Sequence, residues 1–190
     1  MYEDTSHDLP YSNMENLDTN ETVRYLVHHR DEHQDYLEIA KRLNRWIEDQ
    51  FVVYETEDCK ALGSADIGTN AIGAKNLRSP TPMVVEQYMC DYPMEGHTGN
   101  WLMSLIALHQ ATGNDTYLDK GVAAANAIVQ GQQENGAFST WGFDLRFGRP
   151  LSQLNWPGDN ACGHTGLLLW DQYYKVLQKG EHFELGLWGL

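Results

Sequence analysis

The sequence predicts an all-α domain built from repeated helical hairpins, and three observations predict it. Gly96–His97–Thr98–Gly99 returns as Gly163–His164–Thr165–Gly166. After each copy comes a run that is apolar nearly all round, Trp101 to Leu108 in the first and Leu167 to Leu177 in the second. A helix with no broad polar face has to be covered on most sides. Each run then reaches a glycine in the same register, Gly113 and Gly180, which suits a left-handed helix stop. The unit reads as irregular lead-in, buried helix, glycine turn, second helix.

In chain order, Met1–Asn20 is polar, acidic and with little periodicity, and reads as a tail or loosely docked segment. Residues 21–190 then read as a single hairpin-repeat domain. Thr22–Arg30 predicts a short helix on Val23, Leu26 and Val27. Tyr36–Phe51 predicts an amphipathic helix: Tyr36, Ile39, Ala40, Leu43, Trp46, Ile47 and Phe51 keep the 3.6 period, with Glu38, Lys41, Arg42 and Glu48 opposite. Tyr36–Leu37 opens it as Tyr117–Leu118 opens a later helix, and His28 precedes the one as His109 precedes the other. The outer helix therefore also recurs, and three partial units can be traced. Glu55–Pro82, with three glycines and two prolines, reads as a long loop. Met83–Met89 reads as a short helix. Pro93 keeps Tyr92 out of the helical region, so the first buried helix begins after it. Tyr117–Gln133 predicts a helix whose alanines let neighbours approach closely. Thr140–Asn160 reads as a second long connector carrying Trp141, Phe143, Phe147 and Trp156.

The chain of 190 residues suits one domain with a sizeable core. A formal charge of -14 argues against a nucleic-acid or anionic-membrane partner, either of which needs a basic face. No run approaches the ~20 apolar residues of a membrane helix. The N-terminus has no secretory pattern, and three cysteines leave one unpaired, which leans towards a reducing compartment. The cytoplasm is slightly favoured, with a periplasmic or secreted location open if the chain is a fragment.

The chemistry-bearing residues gather at the two lead-ins. Glu95 immediately precedes the first Gly-His-Thr-Gly, and Asp159 leads into the second. If the two helices pack side by side, Glu95, His97, Asp159 and His164 come to one face. Two carboxylates there can divide acid and base roles when their environments split their pKa values. Trp141, Trp156 and Tyr92 offer flat apolar platforms with polar tips, suited to a sugar ring. The purely structural alternative has Thr98 and Thr165 as N-caps, the imidazoles bonding backbone carbonyls, Asp159 as a cap or turn residue, and Glu95 placed by the helix dipole. Asp159, Cys162 and His164 do not have the spacing of a zinc signature, so no metal and no other cofactor is expected. A Cys162 nucleophile would need a depressed pKa. No phosphate loop, nucleophile elbow or His-Glu-x-x-His is present.

The pattern Gly96-His-Thr-Gly…Leu105-x-x-Leu108…Thr112-Gly-Asn-Asp-x-Tyr117-Leu118…Ala125…Gln132-x-x-x-Gly136-x-Phe138 resembles one hairpin of the (α/α) toroid proteins known as six-hairpin glycosidases. The resemblance spans roughly 22–185 and is best over 95–138. It implies inner and outer helices alternating around a ring, with the site at one end, fed by loops into the inner helices. A full ring takes a longer chain, so the fold implied is a partial (α/α) toroid. Members include glycoside hydrolases, unsaturated glucuronyl hydrolases, polysaccharide lyases and sugar epimerases. A carbohydrate substrate and carboxylate acid/base chemistry follow as expectations, with Asp159 and Glu95 taken for the acids by their position at the inner-helix entries alone. The alternatives are a non-catalytic glycan- or protein-binding repeat module, and an epimerase using His97 and His164 as acid and base. The Gln132-x-x-x-Gly136-x-Phe138 ending also resembles the repeat of terpene cyclases and prenyltransferases, whose Asp-x-Asp-Asp motif is absent here.

Overall fold

A computed structural model describes residues 16–54, 79–85, 93–138, 143–145, 148–150 and 157–180. Helix α1 (Asn16–His28) and helix α2 (Tyr36–Phe51) lead into strand β1 (Val52–Val53). Strands β2 (Met83–Val85) and β3 (Pro93–Met94) precede helix α3 (Glu95–Thr112) and helix α4 (Asp115–Gln130). A two-stranded ribbon, β4 (Phe143–Asp144) and β5 (Arg149–Pro150), is followed by helix α5 (Pro157–Lys179). The described chain is therefore mostly helical, with one small antiparallel sheet in the order β1-β2-β3.

Helix α3 is the axis of the packing. Every residue from Glu95 to His109 is buried, as its lack of a polar face predicts. Trp101, Leu102, Leu105, Ile106 and Leu108 are at 0% exposure. Helices α1, α2, α4 and α5 and strand β2 surround it. The α3–α4 connection is a tight hairpin. Gly113 takes φ +64°, its N–H bonds the His109 carbonyl at 2.7 Å, and the Asn114 side chain caps α4 by accepting from the Thr116 N–H at 3.0 Å. Gly121 of α4 leaves the space that the Trp170 indole of α5 fills.

Polar groups fix how the outer helices seat. The Ser104 hydroxyl donates to Asn20 Oδ1 at 2.8 Å, and Arg24 donates to the Asn100 carbonyl at 3.2 Å, so α1 runs antiparallel to α3. A line of hydrogen bonds ties three helices together. The Trp101 indole N–H donates to Asn44 Oδ1 at 3.2 Å, the Asn44 amide donates to Glu48 Oε1 at 2.9 Å, and Lys120 Nζ reaches Glu48 Oε2 at 2.6 Å.

Helix α2 has the bounds the sequence predicts. Four expectations need correction. Asn16–Asn20 is not tail but the start of α1, with Asn20 wholly buried. Met83 opens a strand rather than a helix: Val84 and Val85 are β-branched and buried, and β2 is paired on both edges. The connector read over 140–160 carries β4 and β5 and gives way to α5 at Pro157. Finally, α5 is not enclosed like α3, for Leu168 is 57% exposed and Tyr174 38%. The antiparallel course of α1 also separates it from the buried helices of the other two units. The loop read over 55–82 is described only at 79–82. Among the described residues no helix is long and apolar enough to cross a membrane.

Candidate functional site

Helices α3 and α5 lie parallel, with the start of α3 level with Gly163, the seventh residue of α5. Glu95 meets Gly163 at one end, and His109 meets Tyr173 further along. Glycine makes the approach possible. A Cβ on Gly99 would lie 2.5 Å from the Cys162 carbonyl oxygen and 2.9 Å from Gly163 Cα, and a Cβ on Gly166 would overlap the Gly99 backbone. The two Gly-His-Thr-Gly segments are thus packed on each other, backbone against backbone. The motifs meet, but the helix starts do not share a rim, since α5 begins six residues before Gly163.

The two copies are nevertheless set differently. In α3 the motif begins one residue after the helix start, whereas α5 starts at Pro157, well before Gly163. Glu95 is 1% exposed, and a Cβ at Gly163 would be 3.4 Å from its Cβ, carbonyl carbon and carbonyl oxygen. Its Oε1 stands 3.2 Å from where a Cβ on Gly131, at the end of α4, would be. His97 is 2% exposed, and burial pushes its pKa down to about 4, so the imidazole is neutral near pH 7. His164, its counterpart, is exposed, with its ring 4.4 Å from that of Phe138.

The capping role expected of the threonines is not what the structure has. The N-cap position of α3 is Met94, which makes no side-chain cap. Thr98 lies inside the helix, where its hydroxyl donates to the Met94 carbonyl at 2.7 Å and accepts from the Val84 N–H at 3.0 Å, tying α3 to β2. Thr165 is exposed within α5. Asp159 belongs to the first turn of α5, and its side chain lies outside the described residues. Tyr92, Trp141 and Trp156 also lie outside them. Among the described residues no group of three or more His, Cys, Asp or Glu could hold a metal ion.

Two features went unread in the sequence. Arg24 reaches across from α1 to Asn100. Burial lowers the Arg24 pKa while Glu21 and Cys162 oppose that shift. At the far end of the helix pair, His109 Nδ1 bonds the Tyr173 hydroxyl, and Nε2 faces Asp115 Oδ1 at 3.4 Å. Burial pushes the Tyr173 pKa up to about 12, so its hydroxyl keeps its proton near neutral pH. Neither could be found by motif, because each depends on which helix faces which.

No family model matches the chain, and no curated protein matches it in sequence.

Proposed function

We propose that the chain is the helical-hairpin part of a carbohydrate-active enzyme, a glycoside hydrolase of the partial (α/α) toroid type, with Glu95 and Asp159 as its carboxylate pair. The observation that carries the reading is the parallel seating of α3 and α5, which sets the start of α3 against the second turn of α5. Glu95 packs against Gly163, and Asp159 stands four residues upstream of Gly163, about 6 Å along α5. A second support is thermodynamic. Burying a carboxyl and an imidazole within one turn is costly, and such groups are concentrated where chemistry is done.

In this reading one carboxyl protonates the glycosidic oxygen and the other acts on water or on the anomeric carbon. The neutral His97 imidazole serves as a hydrogen-bonding group rather than a cation. The test is a panel of chromogenic glycosides and unsaturated uronides assayed with the full chain. Turnover that Asp159→Asn abolishes, with the circular dichroism spectrum unchanged, is the expected result. Full activity in that variant removes Asp159 from the mechanism, and tight glycan binding without any turnover replaces the enzyme by a binding module.

A further inference from the structure

Three of the glycines that close turns here, Gly113, Gly136 and Gly180, take φ between +64° and +84°, where other residues are strained. Gly131 ends α4 differently. Its φ is -87° and its ψ 0°, a right-handed conformation open to any residue. Its N–H bonds the Ala127 and Ile128 carbonyls, which likewise requires no glycine. The demand for glycine comes from the space in front of it. A Cβ there would lie 3.2 Å from Glu95 Oε1, 3.5 Å from the Ile128 carbonyl oxygen and 3.6 Å from Phe143 Cβ. A carboxylate oxygen at the end of a side chain normally moves aside cheaply. Glu95 has little room to do so, being 1% exposed with Gly163 of α5 against its backbone and Cβ.

We propose that Gly131 is a positioning residue for Glu95: by carrying no side chain it leaves the notch in which the Glu95 carboxyl stands against the last turn of α4. Its effect on turnover rests on the glycosidase reading above, and its effect on the carboxyl does not. Glu95 is thereby held from two sides by glycines of two other helices. Gly163 lies against its backbone and Cβ, and Gly131 leaves the space beside its Oε1. A methyl group at 131 pushes the carboxyl to a new position and so changes both its titration and its aim.

The experiment follows the Glu95 carboxyl directly, by carbon-13 NMR titration of the glutamate-labelled full chain, with Glu95→Gln giving the assignment. Gly131→Ala is compared with Gly113→Ala, which strains a helix stop but has open space around it. The expected result is a displaced Glu95 midpoint in folded Gly131→Ala and an unmoved one in Gly113→Ala. On a chromogenic glycoside that the wild type cleaves, Gly131→Ala loses about tenfold in kcat with KM little changed. An unmoved midpoint in folded Gly131→Ala overturns the proposal, as does an equal displacement in Gly113→Ala. If Gly131→Ala does not fold, the loss is measured again in Glu95→Asp, whose carboxyl is one methylene shorter. A smaller loss there supports the notch, and an equal one overturns it. A displaced midpoint in a protein that turns over no glycoside removes the glycosidase reading and leaves the positioning of Glu95 intact.

Discussion

The two Gly-His-Thr-Gly helices share four residues, a direction and a stopping device, yet they occupy different environments. In α3 the motif is the helix start, sealed by the sheet, by α4 and by α5, with Glu95, His97 and Thr98 all at 2% exposure or less. In α5 the motif lies past the first turn, and only its glycines are buried: Gly163 and Gly166 face α3, while His164 and Thr165 face outwards. The glycines are the part of the repeat that both copies use for the same purpose, close approach. The histidine and threonine have diverged in task, as buried polar partners in one copy and surface groups in the other.

That contrast can be broken most sharply at the shared glycines. Gly166→Ala sets a Cβ into the Gly99 backbone, which has nowhere to go. A loss of about 3 kcal/mol or more is expected in urea unfolding, beyond ordinary overpacking. A change under 1 kcal/mol would mean that α3 and α5 are not seated this closely.

The histidines give the next largest difference. His97 holds a proton less well folded than unfolded, its pKa lying at about 4 rather than 6.5. Between those values the unfolded chain binds more protons, so stability falls as pH drops through that window, by up to about 3 kcal/mol, and is unaffected above it. His97→Gln should flatten that part of the stability–pH curve. The threonines should differ by less. Thr98→Val strands the buried Val84 N–H and is expected to cost about 1–3 kcal/mol by thermal unfolding, while Thr165→Val stays within about 0.5 kcal/mol. The smallest effect is the one on which the copies should agree. Gly113 and Gly180 take φ +64° and +69°, and alanine at either should cost about 1 kcal/mol.

The stopping glycines, and the whole extent of α2, were legible because each is decided locally. A left-handed stop depends on one residue, and an amphipathic period depends on its own spacing. The helix starts were less legible. The repeated motif looks like a beginning in both copies, but Pro157, a residue well suited to the first helical position, is where α5 begins. Val84 and Val85 were read as helical because a three-residue strand has too little length to show a period; only pairing with Val52 and Met94 defines it. At the candidate site, Glu95 and His97 were found from their place beside the motif. Gly131 was not, since its value lies in what it leaves empty beside a residue far away in the chain. The asymmetry of His97 and His164 was hidden for the same reason, because identical tetrapeptides carry no information about which of them the sheet will cover.

The line from Trp101 through Asn44 to Glu48 and Lys120 has a consequence for how α2 finds its seat. Ile47 and Phe51 are greasy enough to slide along a neighbouring helix with little penalty. A slip by one turn, about 5.4 Å, would pull the Glu48 carboxylate away from Lys120 and the Asn44 amide oxygen away from the indole N–H, at a cost of several kcal/mol. The line therefore works as an index pin: the apolar faces hold α2 on, and the polar thread decides where along its length it rests.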